Sequence, residues 1–244
     1  MNNKNFLKKL QNIIPDHIKP KFKNQNDLLY WNQQEGKIFS KKIIQKNQDY
    51  KIQNTFLTSG IRALYANCSF YNYIIEHEGH KKAVYLTKNY AQNFDHNQSS
   101  FVFLGRPGTG KNHLATAISN YLILRGKTVF IITIADLMST LKETFNNNNQ
   151  MTEKKFIYRL SNIDLLILDE IGIQTESKYE KIIINQIIDQ RSSAKKPIGI
   201  LSNLNYYTIK KILGERIIDR INLSNSLWLN FNWNSYRKKT NNMQ

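Results

Sequence analysis

The chain has 244 residues, a single cysteine and a formal net charge of +17. This length suits one medium domain and a small one, with enough residues to bury a hydrophobic core. No run of about 18 apolar residues is present, which excludes a membrane-spanning helix, and the first residues lack the continuous apolar core of a secretory signal. A single cysteine cannot form an internal disulfide, so the expected compartment is a reducing cytoplasm.

The basic excess predicts a polyanionic partner, of which nucleic acid is the most common. Biased base composition offers a second origin for the lysines, because Lys, Asn and Ile have AT-rich codons and all three are abundant here. The same bias does not favour arginine, and only eight arginines accompany 27 lysines. Three arginines near the end of the chain are therefore candidates for specific phosphate contacts, Arg216, Arg220 and Arg237.

Residues 1–57 show apolar side chains in loose helical spacing and no alternation typical of strands. Pro15 and Pro20 separate a short helix around residues 6–14 from a longer helical stretch. We expect a small helical domain over residues 1–57, in which Trp31 either packs in the core or faces a protein partner. The apolar stripe that would form such a docking face contains Leu28, Trp31, Ile43 and Ile44.

Residues 58–75 have the mixed composition of a linker, and residues 76–97 show no clear periodicity. From Ser100 onward, short apolar runs alternate with helical patterns, which is typical of a parallel sheet covered by helices on both faces. We therefore predict an α/β domain over residues 76–244. The expected strands are FVFLG, TVFIITI, DLLILDE and IGILSN, with LWLNFNW as a candidate fifth strand.

The stretch FLGRPGTGKNHLATA, residues 103–117, nearly matches the phosphate-binding pattern Gly-x-x-x-x-Gly-Lys followed by Ser or Thr. Its glycines follow a predicted strand and open a predicted helix, where backbone N–H groups and the helix N-terminus bind phosphate. Lys111 is expected to reach the β- and γ-phosphates of a nucleotide. The predicted nucleotide-binding residues are Gly105, Arg106, Pro107, Gly108, Thr109, Gly110, Lys111, Asn112 and His113.

A second motif, LLILDE, places Asp169 and Glu170 at the carboxyl end of a predicted buried strand. Asp169 suits the coordination shell of Mg²⁺, and Glu170 is placed to orient or deprotonate an attacking water. Asn203 ends the next strand, where its amide is expected to position the same water at the γ-phosphate. Together with Lys111, these residues predict a P-loop NTPase.

Asn112 occupies the position where the pattern requires a hydroxyl that contacts Mg²⁺. A carboxamide oxygen is also a hard ligand that magnesium accepts, but it lies one bond further from the backbone. We expect Asn112 to reach the ion through water, Asp169 and the phosphates to hold the ion directly, and turnover to be slow.

Five stretches carry a family resemblance: SGIRALYANCSF, GRPGTGKNHLATAI, DLLILDEIGIQTESKYEKIIINQIIDQRSS, LGERIIDRI and NSLWLNFNWNSYR. The order of their motifs resembles the AAA+ ATPases and, more narrowly, the bacterial loaders of the replicative helicase DnaB, the DnaC/IstB-like group. The resemblance covers nearly the whole chain. The loader family also looks to carry asparagine at the position of Asn112, so this departure from the general pattern is itself part of the resemblance.

The resemblance implies an AAA+ ATPase domain behind an N-terminal domain that grips DnaB. It implies that Arg216 reaches the nucleotide of a neighbouring subunit and that Arg237 senses the state of the nucleotide. It also implies that Phe145, Ser177 and Tyr179 contact single-stranded DNA, where aromatic stacking tolerates any base. The implied activity is ATP-dependent loading of the helicase, with slow ATP hydrolysis as the release switch.

Only seven residues follow Arg237, which leaves no room for the helical lid that most AAA+ ATPases carry. A nucleotide site without its own lid needs another surface to complete it. We therefore expect the protein to self-associate when it is bound to the helicase, with Arg216 acting in trans.

Two other functions remain open. The protein would be a helicase adaptor that does not hydrolyse ATP if Asn112 disables the site. It would be a transposition helper of the related IstB type if it acted on duplex DNA with a transposase, although we expect threonine at position 112 in that group. An origin-binding initiator is disfavoured, because no space for a helix-turn-helix follows Arg237.

Overall fold

In the computed structural model, all described residues except Lys37 belong to one compact unit that spans residues 51–244. The described residues are Lys37, 58–144, 152–172, 177–223 and 225–236. The predicted helical domain, apart from Lys37, therefore lies outside the described residues. So do two predicted site residues, Phe145 and Arg237.

Helices and strands alternate through the described region, and none of these helices has both the length and the apolar character needed to cross a membrane. A short 3-10 turn at Ala63–Tyr65 precedes them. The elements are α1 (Glu78–Gln92), α2 (Phe94–Asn97), β1 (Phe101–Gly105), α3 (Lys111–Leu124), β2 (Val129–Thr133), α4 (Ile134–Thr144), α5 (Glu153–Asn162), β3 (Leu165–Asp169), α6 (Lys178–Ser193), β4 (Ile198–Ser202), α7 (Tyr206–Leu213), α8 (Glu215–Asn222) and β5 (Leu227–Phe231).

The described strands form one parallel sheet in the order β2–β3–β4–β1–β5. Every residue of β3 and β4 is buried, as expected for strands that carry helices on both faces. β1 lies between β4 and β5, so the loop after Gly105 meets the end of β4 at the carboxyl edge of the sheet. In folds of this kind, that edge is where ligands bind.

The core divides into two clusters, one on each face of the sheet. Alternate residues of β1 point to opposite faces: Val102 and Leu104 belong to one cluster, with residues from α4 to α8, and Phe101 and Phe103 to the other, with residues from α1 and α3. The domain is therefore a three-layer α/β structure. This architecture confirms the predicted fold class, and the first five residues of LWLNFNW form the fifth strand, β5.

The first helix, α1, differs from expectation, because the sequence shows no clear periodicity over residues 76–97. Its buried face does follow helical spacing, but polar His80 and Thr87 belong to it beside Ala83, Tyr90 and Ala91. Thr87 is satisfied within the helix, where its hydroxyl donates to the carbonyl of Ala83 at 2.8 Å. Buried polar residues therefore hide the apolar stripe that would have predicted this helix.

The stretch predicted as a linker, residues 58–75, packs against the α/β domain. The backbone N–H of Ile131 in β2 donates to the carbonyl of Ser59 at 2.8 Å. Phe70 is buried in the cluster that contains Phe101 and Phe103. The stretch thus contributes to the wall of the domain, while the domain boundaries at residues 58 and 76 stay predictions.

A buried arginine joins three elements on the α5 side of the sheet. The guanidinium of Arg191, at the end of α6, donates to the carbonyls of Leu160 at 2.6 Å, Pro197 at 2.5 Å and Asp164 at 3.3 Å. Burial lowers the pKa of Arg191 to about 9, although the nearby charge of Asp164 acts to raise it. Arg191 therefore satisfies backbone acceptors at the end of α5 and at the start of β4.

Candidate nucleotide-binding site

A cavity of about 290 Å³ lies at the carboxyl edge of the sheet, around the loop between β1 and α3. Its lining combines the glycine-rich loop, the acidic pair after β3 and the asparagine after β4. The sequence analysis predicted each of these parts separately, and the fold brings them together. The residues that they contribute are 107–113, Asp169, Glu170 and Asn203.

Lys111 is buried, and its ammonium lies within the loop. Nζ donates to the carbonyls of Gly105 at 2.6 Å and Arg106 at 2.8 Å, and to Oδ1 of Asn203 at 2.9 Å. The last contact joins the loop after β1 to the end of β4. It pairs the two side chains that the sequence predicts at the γ-phosphate.

Glycines allow the loop to follow its path, and at two of them a side chain would also collide with a neighbour. Gly105 has a φ of +125°, and a Cβ there would lie 2.4 Å from the carbonyl oxygen of Phe231. Gly110 has a φ of +94°, and a Cβ there would lie 2.6 Å from the ring of Tyr73. Any other residue would be both strained and in collision at these positions.

Asn112 contacts the acidic residue that the sequence predicts as a metal ligand. Its Nδ2 donates to Oδ2 of Asp169 at 2.7 Å, and the N–H of Glu170 donates to Oδ1 of Asp169, also at 2.7 Å. An ionised carboxylate only accepts hydrogen bonds, so the amide nitrogen of Asn112 faces it and the amide oxygen faces away. Asp169 is thus the residue that could hold a cation, and Asn112 fixes the orientation of its carboxylate.

The environment of Asp169 opposes ionisation. Burial raises the pKa of Asp169 above its usual value, and the hydrogen bonds from Glu170 and Asn112 offset this only in part, while the nearby charge of Glu170 adds to it. Glu170 itself has a φ of +63°, a backbone conformation that costs energy in a residue other than glycine. A cation bound at Asp169 would favour the ionised form.

Aromatic side chains form another part of the lining, and the sequence analysis missed them. Tyr73 and Trp233 both line the cavity, and His80 packs edge-on against their rings at centroid distances of 5.6 and 4.8 Å. The clustered aromatics of SFYNY and FNW are the only signal in the sequence. Neither stretch has a periodicity or a known motif that would assign it to a nucleotide site.

Some predicted nucleotide-binding residues take other positions. Nε2 of His113 lies 3.0 Å from the carbonyl oxygen of Ser69 and 3.0 Å from Oδ1 of Asn72, so its ring faces the segment before α1 although it lines the cavity. Gly105 and Arg106 do not line the cavity and instead offer their carbonyls to Lys111. Their roles toward a nucleotide stay predictions.

Arg216 does not line the cavity of its own chain. It lies on α8 with 77% of its side chain exposed, and it forms an ion pair at 3.5 Å with Asp189 of α6. Arg220, one turn later on α8, pairs with the same aspartate. Arg216 therefore lies at the surface of the domain, and its role toward the nucleotide of a neighbouring molecule stays a prediction.

Two of the predicted DNA-contacting residues, Ser177 and Tyr179, are described by the structure; they lie at the start of α6 and do not line the cavity. Ser177 is the N-cap of this helix, where its hydroxyl accepts the N–H of Glu180 at 3.0 Å. Tyr179 is half-buried, and its hydroxyl donates to Glu153 at 2.8 Å. Both residues therefore have structural contacts, and their binding of DNA stays a prediction.

We expect replacement of Asp169 by asparagine to stabilise the empty protein at neutral pH. A raised pKa means that ionised Asp169 weakens the fold above that pKa, and the effect disappears as the pH falls through it. In Asp169→Asn, Asn112 can reverse its amide and keep the hydrogen bond. The midpoint of thermal unfolding without Mg²⁺ or nucleotide should rise at pH 7.5, and the difference should be lost as the pH falls through the pKa of Asp169.

Asp164→Asn is the matched control with the opposite sign. Burial alone would raise the pKa of Asp164, but hydrogen bonds from Lys196 and Thr128 outweigh it and lower the pKa. Its stabilising effect is therefore present above its unfolded pKa and is lost as the pH falls through the folded one. Asp164→Asn should destabilise the protein at pH 7.5. Equal shifts in both variants would contradict the assignment of Asp169.

Solved structures support the fold. The crystal structure of the DnaC helicase loader matches with a TM-score of 0.61 at 23% identity, covering 69% of this chain and 99% of that one. AMPPCP-bound DnaA from Aquifex aeolicus matches with a TM-score of 0.58 at 22% identity, covering 75% of this chain and 56% of the DnaA chain. At these identities the likeness establishes the fold alone, which is the predicted AAA+ fold.

Sequence comparison extends over both predicted domains. Residues 51–244 match the family model of IstB-like ATP binding proteins. The replicative helicase loader DnaC of Buchnera aphidicola subsp. Baizongia pistaciae is 62% identical over 96% of this chain and 95% of its own length. DnaC of Escherichia coli K12 is 53% identical over the same shares. The chain therefore belongs to the DnaC family of replicative helicase loaders, within the IstB-like ATP-binding proteins.

Proposed function

We propose that the protein is an ATP-dependent loader that binds the replicative helicase DnaB and delivers it onto single-stranded DNA when replication begins. One observation carries the proposal: a chain similar to DnaC loaders over 96% of its length brings Lys111, Asp169, Glu170 and Asn203 to one cavity. ATP binding would favour the state that holds helicase and DNA, and hydrolysis would release it.

The residues that line the cavity would each take one role in slow ATP hydrolysis. Lys111 would bind the β- and γ-phosphates, and Glu170 would orient the water that attacks the γ-phosphorus as ADP leaves. Asn203, already in contact with Lys111, would hold the γ-phosphate or that water. Mg²⁺, when bound, would neutralise charge on the β- and γ-oxygens. Asp169 would hold it, and Asn112 would act through Asp169.

The position of Arg216 supports assembly in which one protomer completes the site of another. Because Arg216 lies outside its own cavity and is largely exposed, it would reach the ATP of a neighbouring protomer, with self-association on the helicase bringing the two together. Arg237 would sense the nucleotide from within the chain. Residues 1–57 would bind DnaB, through the stripe that includes Trp31.

Contact with DNA is supported by charge and by the family resemblance. The net charge of +17 suits a polyanion, and Phe145, Ser177 and Tyr179 are the residues proposed to touch single-stranded DNA. We place the protein in the cytoplasm, where replicating DNA and a reducing environment are found together.

Binding of the helicase should depend on the nucleotide. In a pull-down with DnaB from the same organism, we expect retention of the helicase with ATP, and weaker retention with ADP. Lys111→Ala should remove the difference by abolishing ATP binding, while Lys211→Ala, an exposed lysine on α7, should behave as the wild type. Failure to retain the helicase with or without ATP would overturn the proposal.

Arg216→Ala should bind ATP normally and lose turnover by about 10³-fold, the low end of the effect of an arginine finger. Mixing it with Lys111→Ala separates action in trans from action in cis. One partner then supplies the ATP and the other supplies Arg216, and random assembly should restore about a quarter of the wild-type rate.

The control for that mixture is Arg159→Ala, which removes an exposed arginine of α5 and should leave turnover unchanged. A mixture as inactive as its components, under conditions where the wild type assembles and hydrolyses ATP, would show that Arg216 acts only within its own chain.

Asn112→Thr should keep the affinity for ATP and raise turnover severalfold, because a hydroxyl one bond nearer to the backbone can ligate Mg²⁺ directly. Single-turnover hydrolysis and the dissociation constant for ATP measure the two effects separately. Loss of ATP binding in this variant would show that the amide has another role. A wild type without any ATPase activity, in the presence of DNA and helicase, would favour the adaptor.

A further inference from the structure

We propose that Tyr73 and Trp233 are positioning residues that hold the carbonyl of Thr109 away from the bound phosphates and thereby aim the N–H of Gly110 at them. The inference rests on the proposed binding of ATP and explains how the phosphate loop keeps its shape. Neither residue belongs to the glycine-rich motif, since they lie 36 positions before and 124 positions after Thr109.

Two side chains converge on one backbone oxygen. Oη of Tyr73 donates to the carbonyl of Thr109 at 3.1 Å, and Nε1 of Trp233 donates to the same oxygen at 2.8 Å. A backbone carbonyl has two lone pairs, so these donors account for the full capacity of the Thr109 oxygen. With two donors from different segments, this carbonyl has a fixed direction.

Fixing a carbonyl also fixes the N–H that follows it. In a planar trans peptide the C=O and the next N–H point in opposite directions, so the Thr109 carbonyl sets the direction of the Gly110 N–H. The preceding peptide is held in the same way, because the N–H of Tyr236 donates to the carbonyl of Gly108 at 2.9 Å. Two consecutive N–H groups of the loop, those of Thr109 and Gly110, are therefore pre-set, as a phosphate cradle requires.

Both donors are themselves held by packing. The ring of Trp233 packs against His80 and Phe231 at centroid distances of 4.8 and 4.9 Å, and the ring of Tyr73 packs against His113 at 5.2 Å. Tyr73 also leaves no room for a side chain at Gly110. Burial raises the pKa of Tyr73 to about 12, so its hydroxyl remains a donor at neutral pH.

The alternative role for these rings is contact with the base of the nucleotide. The two roles predict different effects of phenylalanine, which removes the donor and keeps an aromatic ring at each position. At Trp233 it also removes the second ring of the indole, as it does in the control at Trp228. Loss of base contact would change the preference for ADP over GDP. Loss of loop geometry would weaken the binding of both nucleotides by the same factor, because ADP and GDP carry the same diphosphate group.

The test compares Tyr73→Phe, Trp233→Phe and the double variant in the full chain. Dissociation constants for ADP and GDP and the midpoint of thermal unfolding without nucleotide are measured for each. One remaining donor still holds the carbonyl, so we expect each single change to raise the dissociation constant for ADP about threefold. The double change should raise it about thirtyfold, more than the roughly ninefold product of the two single changes, because no donor then remains to hold the carbonyl.

The control is Trp228→Phe, which removes an indole N–H that donates to Asn222 and touches no part of the loop; it should bind ADP as the wild type does. A double variant with wild-type affinity for ADP, or with an altered ratio of ADP to GDP affinity, overturns the inference alone. A wild type that binds neither nucleotide overturns the proposed ATP-binding function, and the inference with it.

Discussion

The ammonium of Lys111 is the point where the fold and the proposed chemistry meet. Its acceptors include the carbonyls of Gly105 and Arg106, at the end of β1, and Oδ1 of Asn203 after β4, and these strands are neighbours because the sheet order places β1 beside β4. A buried ammonium must be hydrogen-bonded. A nucleotide that takes over Lys111 would therefore change contacts on two strands at once, which gives the loader a direct way to register ATP.

The same edge of the sheet holds a carboxyl group, that of Asp169, whose ionised form is disfavoured by its surroundings. A bound cation would favour the ionised form. Asp169 is buried beside Glu170, and its carboxylate is steadied by Asn112 and by one backbone N–H. Asn112, which departs from the general P-loop pattern, thus donates a hydrogen bond to the predicted metal ligand, Asp169. In the function proposed above, this site would bind ATP and hydrolyse it slowly.

The sequence predicted those parts of the protein whose signals are local. A strand followed by glycines and lysine, or by Asp169 and Glu170, identifies both its structure and its chemistry. The sequence did not predict contacts between distant residues, such as those of Tyr73 and Trp233 with Thr109, or α1, whose buried face includes polar His80 and Thr87. The scarcity of arginine directed attention to the three arginines at the end of the chain. It did not indicate that Arg191 is buried and binds backbone carbonyls.

The most direct test of the account is a loading assay on single-stranded DNA coated with its binding protein, with unwinding by the replicative helicase as the readout. We predict that unwinding requires this protein together with ATP, and that Lys111→Ala fails to support it at any concentration. Equal unwinding with the wild type and with Lys111→Ala, or unwinding that does not require the protein, would contradict the claim that its nucleotide site controls delivery of the helicase.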